Sequence, residues 1–94
     1  MRHILIVEDN IAFGTMPQTW LRRKGFEVDK ATSVGAAVKL LVDMKSVDLV
    51  LSDLRLPDHD GLRLLAWIHK HSINAPFIVM TNYAEVQNAV LAMK

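Results

Sequence analysis

A chain of 94 residues, 51% of them hydrophobic, can build one domain with a modest core and is too apolar to be disordered. Lys plus Arg number 11 against 10 Asp plus Glu, a formal net charge of +1, which leaves no electrostatic footprint for nucleic acid or an anionic membrane. The absence of cysteine excludes a disulfide frame and a thiolate metal site.

The first apolar run, Ile4, Leu5, Ile6 and Val7, has strand length and ends in the acids Glu8 and Asp9. It is too short for a signal peptide, and no stretch approaches the length that spans a bilayer, so a soluble cytoplasmic protein is expected. Trp20, Leu21, Arg22, Arg23, Lys24 and Gly25 read as the end of a first helix. Gly14 and Pro17 fall in what should be its first half. Because proline lacks an amide hydrogen and crowds the preceding turn, either a kink or a start near Met16 is expected. Residues 26–31 alternate as a half-exposed or edge strand does.

Val34, Ala37, Val38, Leu41 and Met44 form one helical stripe, with Ser33 placed to cap it. Leu49, Val50 and Leu51 are continuous and apolar, which suits a strand buried on both faces. Leu62, Leu65 and Ile68 predict a third helix after Gly61. Phe77, Ile78, Val79 and Met80 predict a fourth strand. Val86, Ala89, Val90 and Met93 predict a fourth helix, opened by Asn82 and Glu85 in capping-box spacing. Strand and helix alternate throughout, with no repeat or linker. This predicts an α/β fold, a parallel sheet between helices on both faces, with right-handed crossovers.

Open parallel sheets expose their functional groups at the carboxyl ends of the strands. Here those ends carry Glu8 and Asp9, Ser52 and Asp53, and Thr81 and Asn82. Three carboxylates brought together repel, and some would take up protons unless a cation shared the site. No Lys or Arg stands at these ends, so a hard ion such as Mg²⁺ is the expected neutraliser. A carboxylate beside a carboxylate-held metal is suited to phosphoryl transfer.

The acid pair, the spacing Asp53-x-x-x-Pro57-x-x-x-Gly61, and Ile78, Val79, Met80, Thr81 together resemble the response regulator receiver domain, with the flavour of NtrC-type transcriptional regulators. The match runs from residue 3 to the end of the chain. The resemblance implies a CheY-like, flavodoxin-like fold of strand order 2-1-3-4. It implies that Asp53 accepts a phosphoryl group from a partner histidine kinase in two-component signalling. It further implies that Asp9 and Asp53 ligate Mg²⁺, that Glu8 acts through a metal-bound water, and that the backbone carbonyl of Arg55 completes the metal's ligands. Thr81 would hydrogen-bond the phosphoryl group, and Pro57 and Gly61 would shape the loop after Asp53.

Receivers of this family continue with a fifth strand, which ends in a Lys-Pro step, and a fifth helix. The sequence ends at Lys94, which does not match that lysine. The chain therefore reads as a single receiver domain, residues 1–94, cut short before these elements. The first alternative is an interaction module that keeps the fold and has lost efficient phosphorylation. The second is a metal-dependent phosphatase, disfavoured because no further acid–base residue or substrate-enclosing cap is evident. A non-enzymatic switch is expected.

The plainer readings are a solvated turn for Glu8 and Asp9, a loop carboxylate for Asp53, and a local hydrogen bond for Thr81 that can coexist with the phosphoryl role. His3, His59, His69 and His71 form no ligand-like group and read as structural. Without a fifth strand, residues 76–80 would be an uncharged apolar edge, and Val86, Val90 and Leu91 would lose cover. Pairing of two fourth strands about a two-fold axis, with the last helices facing, is the expected dimer. No direct nucleic-acid or membrane partner is expected.

Overall fold

The computed structural model describes residues 2–44, 46–80 and 91. In chain order it contains β1 (His3–Val7), α1 (Ile11–Arg23), β2 (Glu27–Ala31), α2 (Val34–Asp43), β3 (Leu49–Ser52), α3 (Gly61–Lys70) and β4 (Phe77–Val79). The strands form one sheet in the order β2-β1-β3-β4, and every pairing is parallel. The sequence expectation of a three-layer α/β fold with order 2-1-3-4 is borne out. The predicted fourth helix lies outside the described residues.

Side chains alternate across a strand, so each strand feeds two cores. Ile4, Ile6, Leu49 and Leu51 join Leu21 of α1, with Phe26, Val28 and Met80, on one face. Leu5, Val7 and Val50 join Val34, Ala37 and Leu41 of α2 and Leu64 and Ile68 of α3 on the other. Residues 4–7 and 49–51 are wholly buried, as their unbroken apolar runs require.

The local signals behave unevenly. Helix α1 begins at Ile11 and carries Pro17 inside it, which overturns the later start near Met16. The proline forfeits one helical hydrogen bond, but its ring is buried, and tertiary packing outweighs local propensity there. Gly25 ends α1 as expected, at φ +92°. The Phe26 N–H donates to the Leu21 carbonyl at 3.2 Å and the Gly25 N–H to that of Arg22 at 3.0 Å, a Schellman closure. Both Phe26 and Leu21 then enter the same core.

Ser33 caps α2, its side chain accepting from the Ala36 N–H at 3.0 Å. In α3 the buried stripe is Gly61, Leu64 and Ile68. Leu62, expected to face the core, is 51% exposed, and Leu65 is only half-buried. Both choices satisfy helical spacing. Gly61 decides the phase, because it packs against the end of β3.

Candidate functional site

Strands β1 and β3 are adjacent, and their register pairs Val7 with Ser52. The next residues, Glu8, Asp9 and Asp53, therefore leave the sheet at one place. The backbone fixes this further: the Asp53 N–H donates to the Val7 carbonyl at 2.9 Å, and the Glu8 N–H to that of Ala31 at 2.9 Å. One carboxylate oxygen from each of the three acids falls within 4.8 Å of the others. The acids are graded from solvent inward, with Asp9 exposed, Asp53 half-buried and Glu8 buried.

Burial is the main reason that Glu8 is pushed up from 4.5 to about 7. A hydrogen bond from the Asn10 N–H, 3.0 Å from Glu8 Oε1, opposes the shift. The hydrogen bond and charge of Asp53, and a hydrogen bond with Asp9, reinforce it. A carboxyl that resists ionisation beside two more carboxylates is the donor set that a hard cation fits.

The loop after β3 is tightly built. The Leu54 N–H donates to Asp53 Oδ1 at 2.8 Å, and Ser52 Oγ–H to the Asp53 carbonyl at 2.9 Å. The Gly61 N–H closes the loop on the Leu54 carbonyl at 2.6 Å, and Arg55 bridges to Asp60. A Cβ on Gly61 would run into the carbonyl oxygen of Asp53, so glycine is demanded by close approach. On the neighbouring strand, the Met80 N–H donates to the Ser52 carbonyl at 2.8 Å, which carries the end of β4 beside that of β3. Thr81 itself lies outside the described residues. The expected convergence of Glu8, Asp9 and Asp53 is thus observed.

Two acids of this loop were not singled out from the sequence. Asp60 caps α3, accepting from the Leu62 N–H at 2.7 Å; its place just before the helix was a readable signal. Asp58 reaches across to the start of α2, accepting from the Val34 N–H at 3.0 Å and the Gly35 N–H at 2.9 Å. Those bonds, that of Gly35 first, lower the pKa of Asp58 below the usual carboxylate range. No local pattern announces a cap from 24 residues away. The histidines remain outside the site: His3 Nε2 lies 2.6 Å from Asp29 across β1 and β2, and His71 stacks on Trp67.

A model of the response regulator receiver domain family matches residues 4–94. The chain is 37% identical over 94 residues to the regulatory protein AtoC of Escherichia coli K12, covering 100% of this chain and 20% of that protein. It is also 37% identical over 91 residues to the transcriptional regulatory protein ZraR of Klebsiella oxytoca, covering 97% of this chain and 20% of that one. The chain thus spans about a fifth of the length of these relatives.

Among solved structures it is similar to the response regulator TrrA of Thermotoga maritima, in complex with Mg²⁺-BeF, at TM-score 0.79 and 21% identity over 100% of both chains. A histidine kinase ThkA–TrrA complex contains a chain similar at TM-score 0.80 and 22% identity, covering 99% of this chain and 98% of that one. At these identities the structural likeness shows the fold alone. The sequence relationship shows more: the chain belongs to the response regulator receiver domain family.

The position of Glu8 has a consequence for stability in the metal-free protein. Between pH 4.5 and about 7 the folded state holds a proton on Glu8 that the unfolded chain has released. Stability is therefore expected to fall as pH rises through that window, by on the order of 3 kcal/mol at about 1.4 kcal/mol per pKa unit. Urea unfolding in chelator at pH 5 and pH 7.5 measures the loss. Glu8→Gln should flatten it, and an equal pH slope in the two proteins would exclude Glu8 as its source.

Proposed function

We propose that this chain is the phosphoacceptor receiver of a two-component system and that Asp53 accepts the phosphoryl group. The convergence of Glu8, Asp9 and Asp53 oxygens within 4.8 Å at the carboxyl ends of β1 and β3 carries this reading. Asp53 is the nucleophile because it is anchored by the loop while still reachable from solvent. One of its carboxylate oxygens forms the new P–O bond as the P–N bond of a phosphohistidine donor breaks. The released imidazole takes a proton, and the product is an aspartyl phosphate.

Asp9 and Asp53 would ligate Mg²⁺ directly, Glu8 through water, with the Arg55 backbone carbonyl as a further ligand. Bound there, the ion would offset charge on the phosphoryl oxygens. Thr81 would donate a hydrogen bond to the phosphoryl group. The donor is a sensor histidine kinase, a partner class supported by the ThkA–TrrA complex. The role is regulatory rather than enzymatic, in the cytoplasm, with transcription as the output suggested by relatives named as transcriptional regulators. No described helix is long and apolar enough to cross a membrane.

Acetyl phosphate, a donor that needs no kinase, tests the reading. The folded chain is expected to incorporate phosphate with Mg²⁺ and to incorporate far less in chelator. Equal incorporation in both conditions would contradict the metal's part, and none in either would contradict the function.

The dimer belongs to the same proposal. Among the described residues β4 is an edge strand, and Phe77, Ile78 and Val79 are half-buried and uncharged. Edges of this kind pair with other chains. Light scattering of the 94-residue chain is expected to show a dimer that Val79→Lys disperses. A well-folded monomer at high concentration, or a dimer indifferent to Val79→Lys, would refute it.

A further inference from the structure

A groove of about 530 Å³ runs between α2 and α3, from Asp58 and His59 of the loop after β3 along the two helices to Lys70. Its floor is mainly apolar: Val38 of α2 and Ala66 and Trp67 of α3 line it. Its rim is cationic, formed by Lys39 of α2 and Arg63 and Lys70 of α3. On α3 these residues recur one turn apart, so the helix carries two stripes. Gly61, Leu64 and Ile68 face the core, while Arg63, Ala66, Trp67 and Lys70 face the groove.

Charge decides what fits. None of Lys39, Arg63 and Lys70 forms an ion pair with a described residue. The one lining carboxylate, Asp58, is already engaged by the Val34 and Gly35 N–H groups at the start of α2. The groove is thus positive on a chain whose net charge is only +1. That positive charge surrounds an apolar floor with a large, half-buried aromatic side chain. Such a surface is complementary to an amphipathic helix with apolar anchors and acidic flanks. A nucleic acid would need a basic surface without an apolar floor, together with more positive charge over the domain.

We propose that the α2–α3 groove is a docking site for an acidic, amphipathic helical segment of a partner protein. Its apolar anchors lie over Val38, Ala66 and Trp67, and its carboxylates meet Lys39, Arg63 and Lys70. The groove shares no lining residue with the acidic cluster.

The test uses the full chain, a synthetic helical peptide with leucines one turn apart flanked by glutamates, and a second peptide with lysines in place of the glutamates. Amide shifts on titration should centre on α2 and α3, and affinity for the glutamate peptide should fall as salt rises. The combined variant Lys39→Glu, Arg63→Glu, Lys70→Glu alters only exposed side chains and should weaken binding by roughly tenfold or more, the scale of three exposed ion pairs lost and reversed. Ala66→Arg should block the floor, with its fold checked by circular dichroism.

Absence of shifts at millimolar peptide, equal binding of the lysine peptide, or shifts confined to other faces would overturn the proposal. So would an oligonucleotide that moved the groove resonances more strongly than the glutamate peptide. Concentration-dependent shifts there without peptide would assign the groove to a second copy of the chain, which also overturns it.

Discussion

Replacing Gly61 with alanine is expected to cost roughly 1–3 kcal/mol of stability and to disturb Asp53 at the same time. The added methyl would meet the Asp53 carbonyl oxygen, with Ser52 Oγ close behind. The first obstacle is backbone, so no rotamer change relieves it. Moving α3 away would break the 2.6 Å hydrogen bond from the Gly61 N–H to the Leu54 carbonyl and would lift Leu64 and Ile68 from the core. A domain of this size holds only about 5–15 kcal/mol in total, so the loss should be plain in urea unfolding. The control is Gly35→Ala, whose Cβ would make only ordinary contact, 3.5 Å from Asp58. Equal effects at the two glycines would show that the approach to Asp53 is not what limits position 61.

The second large effect is a trade between stability and metal binding. Asp53→Asn removes one negative charge from a cluster whose oxygens lie within 4.8 Å. A charge pair at about 4 Å is worth roughly 1 kcal/mol in water and about 4 kcal/mol at the effective dielectric of a protein surface. Above pH 7, where Glu8 is ionised, the metal-free variant is therefore expected to be more stable than the parent by an amount toward the lower end of that range, because burial rather than the Asp53 charge is the main push on Glu8. Glu8 should titrate lower, because Asp53 supplies part of the upward push. Mg²⁺ affinity should fall by at least about fivefold, since the same energy at about 1.4 kcal/mol per decade attracts the cation. Unfolding in chelator and Mg²⁺ titration by Trp fluorescence read the two quantities separately. A variant that is less stable without metal, or one that binds Mg²⁺ as before, would show that the three carboxylates do not act as one cluster.

Much of the frame was legible because it rests on short-range chemistry. Unbroken apolar runs at 4–7 and 49–51 marked the central strands, and alternation at 26–31 marked an edge. Ser33 and Gly25 marked helix ends through bonds that span only a few residues. The acids were legible because parallel strands bring their carboxyl ends to one edge whatever the details of packing.

What escaped depended on contacts distant in sequence. The phase of α3 could not be chosen from Leu62, Leu65 and Ile68 alone, since the choice rests on how closely Gly61 approaches the end of β3. Pro17 argued for either a kink or a start near Met16, and of these the later start failed: the proline ring is buried, and the helix begins at Ile11 and continues through it. Asp58 was not singled out, because the helix it caps begins 24 positions earlier. The groove between α2 and α3 was hidden for the same reason: neither helix shows alone that its basic residues will rim an apolar floor shared with the other.

The most direct measurement is the location of the phosphoryl group after reaction with acetyl phosphate and Mg²⁺. Mass spectrometry of the proteolysed chain is expected to find one adduct, on the peptide that contains Asp53. It should be labile to hydroxylamine, as an acyl phosphate is, and absent from Asp53→Asn. An adduct on a different residue, or labelling that persists undiminished in folded Asp53→Asn, would contradict the assignment of Asp53 as the phosphoacceptor.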